Sequence, residues 1–106
     1  LEFDSVFWEE DTDLINLFHE IPARWMQTLN VFKYFGRPIL MMFNVGDQAR
    51  LMSDWSDDML IEDALQALRT MYGDKVGKVV AYKRTNWLKD PYSLTSYSHL
   101  RVGSKY

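Results

Sequence analysis

Alternating apolar and polar positions predict most of the extended structure in this chain. Residues 1–8 alternate and end on two aromatic residues, a pattern typical of a half-buried strand. Residues 25–35 alternate again, and the apolar run 39–45 follows them after a Gly-Arg-Pro turn signal. Two such runs around a short turn predict an antiparallel hairpin. The apolar run 14–18 reads as a strand or a loop wall, and residues 79–85 again show the period of a strand.

The clearest helical period lies in the middle of the chain. Ser56 is a suitable N-cap, two aspartates follow it at the positive end of the helix dipole, and Gly73 is a typical stop. The residues that share one apolar face at helical spacing are Leu60, Ala64, Leu65, Leu68, Met71 and Tyr72. We therefore predict a helix over about residues 56–72, and a shorter helical turn over residues 47–52.

These elements follow the order strand, hairpin, helix, strand, without regular alternation of strands and helices. That order favours an α+β fold, with a mainly antiparallel sheet and the helix at about 56–72 packed on one face. The chain has 106 residues, of which 47% are hydrophobic, enough for a core of its own. We expect residues 1–106 to form a single domain.

Composition and charge narrow the classes of function. The chain has no cysteine, which excludes disulfides and thiolate chemistry, and no apolar run reaches the roughly 18 residues of a membrane span. Its net charge is −3, with seven acids and no Lys or Arg in residues 1–20, and six acids and one Arg in residues 47–63. Such acidic blocks favour a cationic partner. Nucleic acid is not an expected partner, because basic residues do not interleave with aromatic ones before the last third of the chain.

Motifs for a self-contained active site are missing from the sequence. The five glycines form neither a dinucleotide-binding nor a phosphate-binding loop. The two histidines, His19 and His99, stand far apart, and neither has a second histidine at helical spacing to share a metal. We therefore assign no catalytic residue and no metal site within the chain.

Aromatic and hydroxyl side chains are concentrated after the last predicted strand. The stretch that begins at Trp87 turns at Asp90-Pro91 and then carries Tyr97 between two serines. Rings and hydroxyls at a strand exit suit the wall of a cavity. The alternative is a plain strand, turn and second strand with the aromatic residues packed in the core.

Several segments together resemble the substrate-binding domain of flavin-containing amine oxidases, a family that includes polyamine oxidases and flavin-type histone lysine demethylases. The tail Trp87-x-x-Asp90-Pro91-x-Ser93-x-x-Ser96-Tyr97-Ser98 is similar to the family stretch W-x-x-D-P-x-x-x-G-S-Y-S. Upstream, the strand ending in Phe7-Trp8, the block from Pro38 to Gly46, and Met52-Ser53 with the following helix resemble family segments in the same order. The resemblance covers nearly the whole chain.

The resemblance implies oxidation of a C–N bond in a polyamine or a lysine-type amine. A hydride equivalent passes from the substrate carbon to FAD, oxygen is the electron acceptor, and the imine product hydrolyses. By the same resemblance, Tyr97 and Trp87 border the substrate, and Trp87 and Ser96 lie near the flavin. An electron-rich ring at Tyr97 attracts a cationic amine by about 0.5–2 kcal/mol. The implied partners are the amine substrate and the FAD domain of the same polypeptide.

The chain departs from the family pattern in ways that limit the expectation. Thr95 stands where the family usually has glycine, and a left-handed backbone there would be costly for threonine. The segments that bind FAD are missing, so we expect the 106 residues alone neither to hold FAD tightly nor to turn over substrate. A purified chain that is yellow with flavin would contradict this.

Two other functions remain open on the sequence. One is a non-catalytic α+β interaction module that exposes Trp8, Trp25 and Trp55 in one patch. The other, a stand-alone hydrolase, has no nucleophile motif to support it. The positions of Trp87 and Tyr97 discriminate the oxidase from the module, because rings on one concave wall favour the oxidase and rings sealed in the core favour the module.

Overall fold

The computed structural model describes residues 1–96 and 100–105. Within these residues the strands are β1 (Glu2–Phe3), β2 (Leu14–Asn16), β3 (Gln27–Asn30), β4 (Leu40–Phe43) and β5 (Val79–Ala81). The helices are α1 (Phe32–Phe35), α2 (Gly46–Met52) and α3 (Asp57–Tyr72), and a 3-10 turn, Gly73–Lys75, follows α3. Antiparallel strands combined with three helices confirm the predicted α+β class.

The strands form two small antiparallel sheets, which are joined by a short contact between β1 and the start of β4. In the first sheet, in the order β2-β3-β4, Thr28 lies opposite both Ile15 and Met42, which confirms the antiparallel pairing of β3 with β4. In the second sheet β1 pairs with β5. Leu1 and Leu40 exchange backbone hydrogen bonds, both at 2.9 Å, so that β1 lies antiparallel beside the start of β4.

Helix α3 forms where the sequence predicts it. The Ser56 hydroxyl accepts a hydrogen bond from the Met59 N–H at 3.3 Å, and Gly73 ends the helix with a φ of 59°. Ala64 and Leu68, on the predicted apolar face, are buried against the core together with Ala67. Met71, which is also on the predicted apolar face, is half exposed. The last core contact of the helix comes from Tyr72, whose ring packs on Phe7 with the centroids 5.4 Å apart.

Buried indole groups tie the strands to the loops around them. Trp8 donates from Nε1 to Asn30 Oδ1 at 2.8 Å, and Trp25 donates from Nε1 to Asp63 Oδ1 at 2.7 Å. With their only polar atoms satisfied, Trp8 and Trp25 are just 5% and 4% exposed. The predicted exposed patch of Trp8, Trp25 and Trp55 is therefore wrong, and the interaction module loses two of its three proposed contact residues.

Several predicted strands are shorter in the structure. Residues 31–35, predicted as the end of a strand, instead form α1 and its N-cap, Val31. Pairing with β4 ends at Asn30, and Gly36 caps the helical turn with a φ of 64°. The predicted strand 1–8 is reduced to β1, and the predicted strand 79–85 is reduced to β5. In each case the alternating pattern continues beyond the point where a neighbouring strand is available to pair with it.

The pairing of β1 with β5 depends on a close approach at Gly77. The Asp4 carboxylate accepts a hydrogen bond from the Lys78 N–H at 3.0 Å. The same carboxylate occupies the space where a side chain at position 77 would begin, so any Cβ there would collide with Asp4 Oδ1. A larger residue at position 77 would therefore force the Asp4 carboxylate to turn aside and give up its hydrogen bond to the Lys78 N–H.

Candidate functional site

A cavity of about 860 Å³ lies between β4, α2 and α3 on one side and the chain that leaves β5 on the other. Leu40, Met52 and Ala64 contribute a buried, apolar floor. Met41 is 45% exposed where it lines this space, and Met42 lines it as well while packing against the core. The volume falls in the range of about 300–1,000 Å³ that is typical of small-molecule sites.

The opposite wall of the cavity comes from the strand-exit segment, residues 82–96, of which residues 82–88, 95 and 96 line the space. Its main anchor is Arg84, whose side chain is 18% exposed. The guanidinium donates to the carbonyls of Met52 and Trp55 at 2.8 and 2.7 Å, and it pairs with the Asp57 carboxylate at 2.9 Å. One cation thus satisfies carbonyls at the end of α2 and a carboxylate in the first turn of α3.

Two further side chains attach this segment to the corner between α2 and α3. Asn86 donates from Nδ2 to the Ser53 carbonyl at 2.9 Å. The Tyr82 hydroxyl donates to Asp57 Oδ2 at 3.2 Å, and this hydrogen bond raises the pKa of Tyr82 above its ordinary value. The corner therefore receives hydrogen bonds from three positions of the segment.

Trp87 and Ser96, two of the predicted site residues, both line the cavity. The Trp87 side chain is 49% exposed, so the ring is neither sealed in the core nor free in solvent. Tyr97, the third predicted residue, lies outside the described residues. The assignment of these residues to substrate and flavin stays a prediction.

The turn between Trp87 and Ser96 is set by Asp90. Its Oδ1 accepts hydrogen bonds from the N–H groups of Tyr92 and Ser93, both at 2.9 Å, while its carbonyl accepts from the Leu94 N–H at 2.9 Å. Leu94, and not Thr95, adopts the left-handed conformation, with a φ of 57°. Thr95 therefore does not need the left-handed backbone that would be costly for threonine, and the strained conformation lies one residue earlier, at Leu94.

The charges on the cavity wall differ from the sequence-based expectation. Among the described lining residues the cations are Arg50, Lys83 and Arg84, and the single carboxylate, Glu2, is paired with Arg37 at 2.8 Å. The acidic block of residues 47–63 instead contributes to a shallow hollow of about 490 Å³ on the outer face of α3. The acids therefore do not surround the cavity that holds Trp87.

A buried ion pair behind this hollow was not predicted. Arg24 is 8% exposed, pairs with Asp63 at 3.0 Å, donates to Gln48 Oε1 and lies over the Trp55 ring at 5.3 Å. Asp63 also accepts a hydrogen bond from Trp25 Nε1–H. The backbone of Trp25 is in the left-handed region, with a φ of 51°. No periodic pattern marks these residues, because each partner comes from a different element. The only available signal was an arginine in an otherwise apolar stretch.

The described residues, 1–96 and 100–105, contain neither a cluster of metal ligands nor a helix that could span a membrane. No group of three or more His, Asp or Glu side chains in that part of the chain is arranged to hold a metal ion. None of the helices found there is both long and apolar enough to cross a membrane.

Comparisons with known proteins agree with the resemblance in the sequence. The profile of the family described as flavin containing amine oxidoreductase matches residues 1–106. The chain is 32% identical over 108 residues to lysine-specific histone demethylase 1 homolog 3 of Arabidopsis thaliana, which covers 98% of the chain and 7% of that protein. It is 29% identical to polyamine oxidase 4 of Oryza sativa subsp. japonica, covering 97% of the chain and 21% of the relative.

A human relative extends the comparison. The chain is 28% identical over 120 residues to the peroxisomal N(1)-acetyl-spermine/spermidine oxidase of Homo sapiens, covering 98% of the chain and 24% of that protein. The chain thus spans between 7% and 24% of the length of these three relatives. Since the family profile covers every residue, the chain belongs to the flavin-containing amine oxidoreductase family.

Proposed function

We propose that these residues form one wall of the substrate pocket in an FAD-dependent amine oxidase. The enzyme oxidises a C–N bond of a polyamine or a lysine-type amine, with oxygen as the electron acceptor. The observation that carries the proposal is the half-exposed Trp87, which lines the 860 Å³ cavity together with Ser96, directly before Tyr97. The relatives named as polyamine oxidases and lysine-specific demethylases support both substrate classes.

The described residues can contact one edge of a flavin ring, but they do not provide a binding site for the rest of FAD. Trp87 offers a flat, half-exposed indole, and the lining that it shares with Ser96 is open to a planar group. The sequence has no glycine-rich loop to bind the pyrophosphate of FAD. When bound, the flavin accepts the hydride equivalent from the substrate.

The chain's own contribution is to orient the amine and to exclude water. The apolar floor formed by Leu40, Met52 and Ala64 suits the methylene chain of a polyamine or a lysine side chain. By the resemblance to the family, we assign to Tyr97, outside the described residues, the aromatic face for the cationic nitrogen. Arg50 and Lys83 lie on the same lining and repel a second ammonium group, so they favour a bound orientation in which the remote nitrogen points away from them.

The test is anaerobic reduction of the flavin by amines in the full-length protein that contains this chain. Stopped-flow absorbance measures the reduction rate with spermine, N1-acetylspermine and a lysine peptide. Replacing Trp87 by Ala is expected to slow reduction by about 10- to 100-fold, because a misplaced substrate loses near-attack geometry. Tyr92→Ala is the matched control, since Tyr92 is 96% exposed and does not line the cavity. Equal rates in both variants would contradict the role of Trp87.

The isolated chain provides a second test of the same proposal. The 106 residues, purified and dialysed against FAD, are expected to retain no flavin absorbance near 450 nm and to yield no peroxide from amines. Stoichiometric flavin on this chain would overturn the division of labour between the substrate wall and the FAD-binding segments.

A further inference from the structure

We infer that Arg84 is the positioning residue that sets Trp87 against the cavity, by clamping the strand-exit segment to the corner between α2 and α3. This inference concerns the placement of Trp87, and its consequence for amine oxidation rests on the proposed function. Arg84 itself is not assigned any contact with the reacting atoms.

The backbone does not hold this segment in place. β5 ends at Ala81. Among the described residues, none of the N–H groups of residues 83–86 donates to a backbone carbonyl. A chain without ladder hydrogen bonds has no fixed register against its neighbours, so its position must come from side chains.

Arg84 supplies most of those side-chain bonds. Its two terminal nitrogens make four hydrogen bonds to the corner: to the carbonyls of Met52, Ser53 and Trp55, and to the Asp57 carboxylate. Asn86 adds one bond, to Ser53, and the Tyr82 hydroxyl adds one, to Asp57. The guanidinium is also the most buried of the charged groups that tie the segment to the corner, since Lys89, which pairs with Asp54, is 55% exposed.

The geometry of the clamp requires arginine. A planar fork can reach several carbonyls and a carboxylate at once, whereas a lysine ammonium is a single point of attachment. Arg84 precedes Trp87 by three residues, so a loosened guanidinium leaves Asn86 as the nearest remaining tie. The indole would then be free to rotate away from the lining that it shares with Ser96.

The experiment uses the full-length protein labelled with 5-fluorotryptophan, in which loss of a ¹⁹F resonance in Trp87→Phe assigns the Trp87 signal. Arg84→Met keeps the length of the side chain and removes the donors. Arg84→Lys keeps the charge and removes the fork. Arg69→Met is the matched control, because Arg69 pairs with Glu62 on the exposed face of α3, away from the cavity.

In Arg84→Met the Trp87 resonance is expected to move and broaden, and flavin reduction is expected to slow by about 10- to 100-fold. Arg84→Lys should fall between Met and the parent in both measurements. The resonances of Trp8 and Trp25 should stay unchanged, which separates repositioning of one ring from general loosening of the core. Asn86→Ala, which keeps Arg84, should produce a smaller shift in the same direction and covers the case in which Arg84→Met does not fold.

The outcomes separate this inference from the proposed function. An unmoved Trp87 resonance in Arg84→Met, Arg84→Lys and Asn86→Ala overturns the positioning role, whatever the activity. Equal movement in Arg69→Met also overturns it. A moved resonance with unchanged flavin reduction supports the positioning role and overturns the assignment of Trp87 to the substrate pocket.

Discussion

Helix α3 and the strand-exit segment face each other across the cavity, yet they are specified in different ways. The helix is encoded by a repeated apolar face, a serine cap and a terminal glycine, and its core contacts are Ala64, Ala67 and Leu68. The segment has no comparable period and is held by individual polar side chains, above all Arg84 and Asp90. The periodic element depends on burial, whereas the aperiodic one depends on individual hydrogen bonds, which are distant in the sequence for Arg84 and local for Asp90.

Because α3 and the strand-exit segment are held in different ways, substitutions in them should have different effects. Loss of an apolar contact in α3 should lower the stability of the whole fold, because α3 packs against the shared core. Loss of a polar anchor in the segment should change local geometry more than global stability. The substitutions below test this difference in order of decreasing effect.

Leu68→Ala tests the core side of the comparison. Leu68 is fully buried, so its truncation should lower the free energy of unfolding by about 2–5 kcal/mol. Met59→Ala, on the same helix and 55% exposed, should change it by less than about 0.5 kcal/mol. Urea denaturation followed by circular dichroism gives both values. Similar losses at the two positions would show that burial is not what α3 contributes.

Asp63→Asn tests whether the helix also depends on an aperiodic contact. The change removes the partner of Arg24, which is 8% exposed, and weakens the acceptor of the Trp25 Nε1–H bond. We expect a loss of about 2–3 kcal/mol in the free energy of unfolding. Glu62→Gln is the neighbouring control, whose exposed pair with Arg69 should be worth less than about 1 kcal/mol. If the two variants unfold alike, the buried pair does not brace α3.

Asp90→Ala tests the aperiodic side. It removes the acceptor for the N–H groups of Tyr92 and Ser93, and the expected cost is about 1 kcal/mol, confined to the turn. Hydrogen exchange should speed up at residues 92–94 and stay unchanged in α3. Ser93→Ala, which leaves the Asp90 carboxylate intact, should not alter exchange there. Faster exchange throughout α3 would contradict a locally held segment.

Two tyrosines offer the finest test, because one lies in each region. Burial first, and then the hydrogen bond to Glu9, raise the pKa of Tyr72, whereas the hydrogen bond to Asp57 is the main cause of the raised pKa of Tyr82. Each raised pKa stabilises the fold at pH values below the ordinary tyrosine pKa, and that stabilisation is lost as the pH rises through the folded-state value.

Tyrosine titration by NMR should therefore respond differently to removal of each acceptor. In Asp57→Asn the pKa of Tyr82 should return close to its ordinary value, since the hydroxyl has lost the carboxylate. In Glu9→Gln the pKa of Tyr72 should stay raised, because the ring remains packed against Phe7. A full return at Tyr72 would show that the carboxylate, and not burial, controls it.

The same contrast explains how much the sequence could predict. The bounds of α3, its cap and its stop follow from local spacing, and the pairing of β3 with β4 follows from two apolar runs around a turn. The helical conformation of α1 cannot be predicted in this way, because alternation alone does not show where a partner strand ends. The family resemblance directed attention to Trp87 and Ser96, which the structure brings to one cavity, and to Tyr97, outside the described residues.

The contacts that hold the candidate site were beyond local reasoning. Arg84 meets its partners 27 to 32 residues earlier in the sequence, and Arg24 meets Asp63 across 39 residues. A single sequence does not show which residues form such pairs. The burial of Trp8 and Trp25 was missed for the same reason, since it depends on distant acceptors for their indole N–H groups.

The absence of a side chain at Gly77 also affects the register in which β1 and β5 pair. A slip of β5 by one residue would bring the side chain of Val76 or Lys78 to the spot that the Asp4 carboxylate fills. Misaligned pairings between the first and last strands therefore require the Asp4 carboxylate to move and to lose its hydrogen bond to the Lys78 N–H, in addition to the ladder bonds that are lost. The absence of a side chain at position 77 thus favours one register between two segments whose bonded residues, Asp4 and Lys78, are 74 positions apart in the sequence.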